Sequence, residues 1–472
     1  MENLHLHSEY SVLDGLGSIM GIAIKNKQNG SKCLCVTDHA SISALPSIFK
    51  YAKEFDLKPI IGVEFYFVLD YTFGDLKDQK RYHITVFAKN WNGVKSIMHQ
   101  LTLANQQFYR RPILDYDQLY DFEDCIISSA CCFGLLSTID AEDRVRSLSK
   151  KYKDDFYLEI MPHKVIIDGV DLQRISNDIA IDLHMKYNIK LLATNDSHYI
   201  NKEDGITQSL LLAIQYKKEF KGELTWDGDF SNKNEEETYK QFLDLGYIDK
   251  NYIQDAIDNT TVLSNKINII KPDFKVNLPC IHNDERKVFR NLILEGWDRV
   301  KDSIPEDKHS IYIERIAYEL KTIVSMKFDR YFLIVHDAIS FAKSKGIMVG
   351  GRGSSAGSII CWLLGITYVD PIKFDLFFER FLNPDRIEMP DIDVDFEDER
   401  RQEVFDYVSN KYGADKTARV NTFGVLSIKS AFRDVSRAFG IPNFEINRLS
   451  KLIEDEDSFS KDSELSSFYN KS

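Results

Sequence analysis

Between residue 1 and about residue 200, short β-type apolar runs alternate with longer amphipathic stretches, and metal-ligand side chains fall at the ends of the runs. The runs cover residues 4–7, 33–38, 59–68, 82–88, 126–129, 156–161 and 190–195. A 3.6-residue apolar period predicts helices over 19–28, 42–55, 94–108 and 172–187. This rhythm restricts the fold to α/β, as a barrel or a parallel sheet. Strands of a (β/α) barrel point their C-terminal ends at one mouth, where reactive side chains collect.

Eight of the eleven histidines precede residue 200, which makes that mouth the place to look for a site. His5 and His7 alternate, so both point to one face of their strand. Asp14 follows in the next loop, and His39 ends Val36-Thr37-Asp38-His39. Glu64 lies on the 59–68 run, His83 opens Tyr82-His83-Ile84, and Cys131, beside Cys132, follows residues 126–130. Asp196 and His198 end the 190–195 run. Singly, each has a structural explanation: His83 as a packed histidine, Glu64 as a solvated strand acid. Together, nine ligand-type side chains exceed what one ion needs. Imidazole with carboxylate suits zinc, manganese or iron, and carboxylates can bridge two ions. Such ions activate water and clamp phosphate.

His5-Leu6-His7-Ser8-Glu9-Tyr10-Ser11, Thr37-Asp38-His39 and Asn195-Asp196-Ser197-His198-Tyr199 resemble the polymerase and histidinol phosphatase (PHP) domain, in the form fused to bacterial replicative polymerases. The resemblance implies a distorted (β/α)7 barrel with a trinuclear metal site. In some polymerases it implies a 3′→5′ exonuclease. The implied ligands are His5, His7, Asp14, His39, Glu64, His83, Cys131, Asp196 and His198.

Residues 205–345 read as mostly helical, with a polar loop at 228–234. Pro272 and Pro279 punctuate a linker, which places a domain boundary near 270. A strand over 346–349 then leads into Gly350-Gly351-Arg352-Gly353-Ser354-Ser355-Ala356-Gly357 and an apolar helix through Leu364. Glycines admit a close ligand, and a helix N-terminus offers N–H groups to phosphate. Arg352 adds charge and Ser354 and Ser355 add donors, so a nucleoside triphosphate is a natural ligand; a tight strand–helix turn with a capping serine explains the loop equally well. Met389-Pro390-Asp391-Ile392-Asp393-Val394-Asp395-Phe396 alternates strictly, with the three acids on one face. Three carboxylates within about 14 Å of strand repel one another unless cations neutralise them. A solvated acidic strand face is the plain alternative.

Residues 350–365 and 378–396, with Thr422-Phe423-Gly424 and Ala431-Phe432-Arg433-Asp434-Val435, resemble family C DNA polymerases, the bacterial replicative class. The resemblance implies a polymerase palm, a nucleotidyltransferase-like α+β fold, over 271–424 after a PHP domain over 1–270, with a helical thumb starting at 425–472. It makes Asp393 and Asp395 the acids that bind Mg2+, with Asp391 a structural neighbour. Arg352, Gly353, Ser354, Ser355, Arg380 and Arg386 would hold the triphosphate. Lys429, Arg433 and Arg437, spaced i, i+4, would track DNA phosphates or stand as a solvated basic face.

The implied partners are a DNA primer-template and deoxynucleoside triphosphates. The family's third catalytic aspartate finds no matching context here, so a complementary C-terminal chain or downstream domains, which also reach a sliding clamp, are expected. Two other readings compete: a stand-alone PHP phosphoesterase with a vestigial palm, and a non-catalytic subunit of a split polymerase. A net charge of −13 argues against nucleic acid, but residues 400–440 carry 8 Lys/Arg against 4 Asp/Glu. Seven cysteines make no disulfide framework in a chain of 472 residues; Cys33 and Cys35 read as core. The N-terminus has no signal segment and no run of 18 apolar residues occurs, so a cytoplasmic location without membrane contact is expected.

Overall fold

The structure is a computed structural model that describes residues 1–71, 76–272, 278–383 and 389–454. Arg386 and the acidic, serine-rich tail from 455 lie outside the described residues. The described chain divides into two compact units: residues 1–272 with 425–454, and residues 278–424. Residues 425–454 therefore pack with the first unit, where the expectation was a thumb following the palm. The helix Ile428–Ala438 supplies the Ala438 carbonyl to the Phe220 amide at 2.7 Å, and the Phe439 and Phe220 rings meet edge to face at 5.5 Å.

In the first unit the strands are β1 (Cys33–Val36), β2 (Lys58–Val68), β3 (Tyr82–Ala88), β4 (Leu114–Asp115), β5 (Cys125–Ser128) and β6 (Phe156–Ile160). A small hairpin of β7 (Ile166–Ile167) and β8 (Val170–Asp171) precedes β9 (Lys190–Ala193). The main sheet runs β1-β2-β3-β5-β6-β9, with β4 beside β2. The 4–7 run forms no regular strand; it stitches the two sheet edges instead. Thr37 N–H donates to Leu6 O at 2.8 Å on one side, and His7 N–H donates to Ser197 O at 2.8 Å on the other. The sheet thus curls, as a (β/α) barrel requires, but β3 is antiparallel to both β2 and β5. Helices Ile19–Gln28 and Leu172–Tyr187 match the predicted spans, and Leu45–Glu54 and Trp91–Gln106 lie within a few residues of theirs. They bury Ile19, Ile22, Ile48, Val94 and Ile97 against strand residues such as Phe65, Phe67 and Phe87. Each such side chain contributes roughly 1.5–3 kcal/mol by leaving water. Cys33 and Cys35 are in this core, and all seven cysteines are free.

The second unit packs helices Glu285–Val300, His309–Ser325, Asp329–Ser344 and Arg401–Tyr412 around Phe289, Phe332 and Phe378. Its hairpin joins β10 (Val349–Arg352) to antiparallel β11 (Asp393–Phe396). β10 starts three residues later than the 346–349 expectation. Gly346, at φ +68°, closes the preceding helix in a left-handed cap, and Ile347 N–H returns to Ala342 O at 2.9 Å. Among the described residues no helix is long and apolar enough to cross a membrane.

Candidate metal centre and the acidic hairpin

All nine expected ligands converge at one end of the curled sheet. His5 and His7 come from the stitching segment, His39 follows β1, Glu64 lies on β2, and Asp196 and His198 follow β9. His83 is at the first turn of β3, opposite Tyr66. Because β3 runs antiparallel, its N-terminal end reaches the mouth that the C-terminal ends of its neighbours share. Glu64 is the hub. Its Oε1 is 3.3 Å from His5 Nε2 and 3.0 Å from His83 Nδ1; its Oε2 is 3.4 Å from His7 Nε2 and 2.9 Å from His39 Nδ1. Asp196 Oδ1 lies 3.3, 3.1 and 3.7 Å from His5 Nε2, His7 Nε2 and His198 Nδ1. Asp14 spans His39 Nε2 at 3.2 Å and His198 Nε2 at 3.7 Å. Cys131 Sγ, not that of Cys132, is 3.5 Å from His83 Nδ1 and 3.8 Å from Glu64 Oε1.

His5, His7, Glu64, Cys131 and Asp196 are buried and the other four are half-buried, and the ionisation of several is strongly perturbed. Burial pushes the Glu64 carboxyl up, but His83, His5 and His39 together hold it well below the usual carboxylate range. Asp196 and Asp14 are likewise lowered, against burial, by His5 and His198 for the first and by His198 and His39 for the second. Burial and the neighbouring His39 and His198 pull His7 down to about 3. Burial opposes but Glu64 and Asp14 raise His39 to about 10. Burial, then Glu64 and Asp196, raise the Cys131 thiol well above its ordinary value. A thiol so placed ionises readily only beside a cation.

A divalent metal fits this donor set on two observations. His5 Nε2 and His39 Nδ1 are buried without a hydrogen-bond partner, although carboxylate oxygens stand within 2.9–3.3 Å of them. Atoms that crowd without bonding share a common point rather than one another. Three overlapping groups each bring their ligand atoms within 4.8 Å: His7, His39 and His198; His5, His7 and Asp196; His39, Glu64 and His83. Outer partners aim the rings. His5 Nδ1 is 2.8 Å from Glu159 Oε2, and Glu159 also accepts from Ser128 and from Thr194. His7 Nδ1 is 3.0 Å from Ser11 Oγ, which donates to Asp38 at 2.7 Å. Each contact at Nδ1 leaves Nε2 facing the centre.

Sequence reading passed over several residues here. His163 follows β6 as the other ligands follow their strands, and the strand-end rule would have found it. It is buried, both ring nitrogens lack a partner, and burial pulls it down to about 3. A cavity of about 590 Å³ opens beside the cluster, lined by Asp14, His39, His83, Cys131, Asp196 and His198 on its floor. Arg81, Arg110 and Arg111 also line it, on loops that carry no recognisable pattern. The 228–234 segment, expected to be a polar loop, is tied in: Phe230 O accepts from His198 N–H at 2.9 Å, and Asn232 N–H donates to Tyr199 O at 3.0 Å.

In the second unit the glycine-serine loop and the acids share one hairpin, with Arg352 opposite Asp393 and Gly350 opposite Asp395. Arg352 Nε is 3.0 Å from Asp395 Oδ2, and its Nη1 is 3.7 Å from Asp393 Oδ2. Asp391 lies outside the paired strand and is exposed. Gly353, at φ +73°, brings backbone so near that an added Cβ would sit 2.9 Å from Asp393 Oδ2. Ser354 is exposed, whereas Ser355 is buried and donates to Arg352 O at 2.9 Å. The expected free helix N-terminus is not free. Glu319 accepts from Ile359 N–H at 3.1 Å, Ile360 N–H at 3.2 Å and Ser358 Oγ at 2.7 Å, and Arg315 pairs with it at 2.7 Å. A carboxylate of the chain itself occupies the phosphate position. Arg380 is exposed. On the helix Ile428–Ala438 of the first unit, Lys429 is exposed, Arg433 donates to Ser450 Oγ at 3.1 Å and Arg437 pairs with Asp434.

Residues 3–163 match the PHP domain family, and residues 288–472 match the family described as the bacterial DNA polymerase III alpha NTPase domain. The cluster extends past the first match to Asp196 and His198. DNA polymerase III subunit alpha of Borreliella burgdorferi is 37% identical over 96% of this chain and 40% of its own length. The subunits of the same name from Campylobacter jejuni, at 36% over 96% and 40%, and Aquifex aeolicus, at 34% over 96% and 41%, are similar in the same way. The chain spans about 40% of the length of these relatives.

Proposed function

The chain belongs to the family of DNA polymerase III alpha subunits, to whose N-terminal region it corresponds, and on that premise we propose that its first unit is a divalent-metal-dependent phosphoesterase acting as a 3′→5′ exonuclease. The observation that carries this reading is the convergence of nine ligand-type side chains around Glu64, with His5 Nε2 and His39 Nδ1 buried and unpartnered. Zinc, manganese or iron suits a set of imidazole, carboxylate and thiol. His5, His7 and Asp196, then His39, Glu64 and His83 with Cys131, then Asp14 and His198 would hold the ions. When bound, divalent cations supply Lewis acidity to water and neutralise charge on a phosphate. Glu64 and Asp196, each close to several of the histidines, would help hold the ions, while Glu159 and Ser11 keep the imidazoles aimed.

The second unit is read as part of a nucleotidyl-transfer site for a primer 3′-hydroxyl and a deoxynucleoside triphosphate. Asp393 and Asp395 are its acids for Mg2+. Arg352 now pairs with both acids, and it would be free to hold the triphosphate where cations neutralised them. Ser354, Gly353 and Arg380 would hold the triphosphate, a role the family resemblance also gives Arg386; Ser355 and Glu319 hold the loop in shape. Lys429, with Arg433 and Arg437, meets DNA phosphates. On this reading a primer-template, and the part of the relatives' length that this chain does not span, would complete the activity, with a sliding clamp as a further partner.

The test uses purified chain, Mn2+ and a single strand with a labelled 3′ end. Release of mononucleotides that disappears with His7→Ala and persists with Asp393→Ala is expected. An intact strand in Mn2+, Zn2+, Fe2+ and Mg2+ alike would sink the exonuclease.

A further inference from the structure

The cavity beside the histidine cluster has two unlike walls. One is cationic. The Arg81 and Arg110 guanidinium groups each lie 5.5 Å from the Tyr109 ring, which holds them together. Arg111 lies 4.8 Å from the Tyr66 ring and donates to its hydroxyl. Tyr66 in turn stacks on His39 at 5.2 Å, so this arginine stands one ring away from the cluster. Among the described residues none of the three arginines has a carboxylate partner, and Arg81 Nε is buried with no hydrogen bond. Asp14, Glu64 and Asp196 are taken up by histidines. Three guanidinium groups without a carboxylate, although Arg81 donates to Tyr109 O at 3.5 Å and Arg111 to Tyr66, offer charge to an anion, and their planar forks match a phosphate.

Elsewhere the same cavity is lined by aromatic rings. Phe133 and Trp226 stand 6.0 Å apart, and Phe230 packs on His163 at 4.2 Å. His163 is buried with both nitrogens unpartnered, and it lines the cavity between the aromatic rings and the cluster floor. A buried polar ring without a partner calls for one from a ligand. The volume of about 590 Å³ is within the usual range for a site that holds one drug-sized molecule.

We propose that this cavity is a subsite for a single nucleotide: Arg81, Arg110 and Arg111 hold its phosphate, His163 hydrogen-bonds the unit, and Trp226 with Phe133 receives its base. Inorganic phosphate would engage the cationic wall alone and a nucleoside the aromatic wall alone; a nucleotide engages both. Stacking on aromatic side chains tolerates every base, so the subsite selects for being a nucleotide rather than for sequence. The proposal rests on the phosphoesterase reading and names the unit that reading would act on.

Calorimetric titration of the full chain tests it, with thymidine 5′-monophosphate, inorganic phosphate and a short oligothymidylate with a free 3′ end as probes. The mononucleotide should bind at least about tenfold more tightly than phosphate. Arg110→Ala, at an exposed side chain, and Arg81→Gln should weaken both by about tenfold. Trp226→Ala should weaken the mononucleotide and leave phosphate unchanged. Displacement of the mononucleotide by the oligothymidylate marks a strand end as the source; failure to displace it marks the free nucleotide, and either result keeps the subsite. Equal affinities for the mononucleotide and phosphate, or binding indifferent to all three substitutions, would overturn it. Strand hydrolysis that survives such indifference removes the subsite and leaves the phosphoesterase standing. Nucleotide binding lost in Arg81→Gln without any hydrolysis by the unsubstituted chain supports the subsite and removes the phosphoesterase.

Discussion

Glu159 stays outside the ring of candidate ligands, yet it sets the tautomer of His5. Its Oε2 takes the Nδ1 proton at 2.8 Å, and Ser128 and Thr194 hold the carboxylate in turn. Glu159→Gln should lower divalent-metal affinity about 10- to 100-fold, as loss of an outer-shell partner does; competition with a chromophoric chelator measures it, and an unchanged affinity would remove Glu159 from this role. Away from the cluster, Asp155 receives Lys89 Nζ at 2.8 Å and Lys266 Nζ at 3.1 Å. Burial pushes its carboxyl up, but the two lysines bring it below its ordinary value of 3.8. A lowered folded-state value stabilises the fold above pH 3.8, and that contribution is lost as pH falls through the folded-state value. Asp155→Asn should therefore lower the melting temperature near neutral pH and converge with the unsubstituted chain in acid; parallel curves across pH would contradict this. The nine candidate ligands were legible because most sit at or beside the ends of apolar runs, and Glu64 and Asp14, which do not, are also implied by the resemblance to the PHP domain. Glu159 was not, since a buried acid inside a strand resembles any other strand acid until its partners from β5 and the 190–195 run are known.

Elements were legible where periodicity alone decides them. Leu172–Tyr187 and Ile19–Gln28 are helices over their predicted spans because their apolar spacing has one solution. Strand direction has no such signal, since an alternating run reads the same both ways. The reversal of β3 was therefore invisible, although it is what carries His83 to the mouth. The capping of Ile359 by Glu319 was hidden for a different reason: the two are 40 residues apart, on helices whose approach no local pattern encodes. At the hairpin, Gly353→Ala places a side chain at φ +73° and a Cβ 2.9 Å from Asp393 Oδ2. The left-handed backbone alone costs about 1–2 kcal/mol, so the unfolding free energy of the second unit in urea should fall by that amount and its midpoint move to lower concentration. A midpoint unmoved by the substitution would mean that the loop relaxes without strain.

At the scale of the whole chain, the linker was placed near 270 from Pro272 and Pro279, and the two described units part between residues 272 and 278. The return of residues 425–454 to the first unit was not legible, because a helix that docks far back along the chain looks like one that continues forward. The basic 400–440 stretch was legible behind the acidic total of −13, but the gathering of Arg81, Arg110 and Arg111 at one cavity was not. The two units have separate cores and separate acids; the PHP match lies in the first, whereas the polymerase match covers most of the second and also residues 425–454 of the first. The account turns on one property of the first unit, that its buried histidines and carboxylates are a metal centre. Elemental analysis of the full chain, equilibrated with Mn2+ or Zn2+ and freed of loose ions, measures that directly. About two or three ions per chain are predicted, falling to one or none with His7→Ala and unchanged with Asp393→Ala. A chain that retains no more metal than its His7→Ala variant would contradict the central claim.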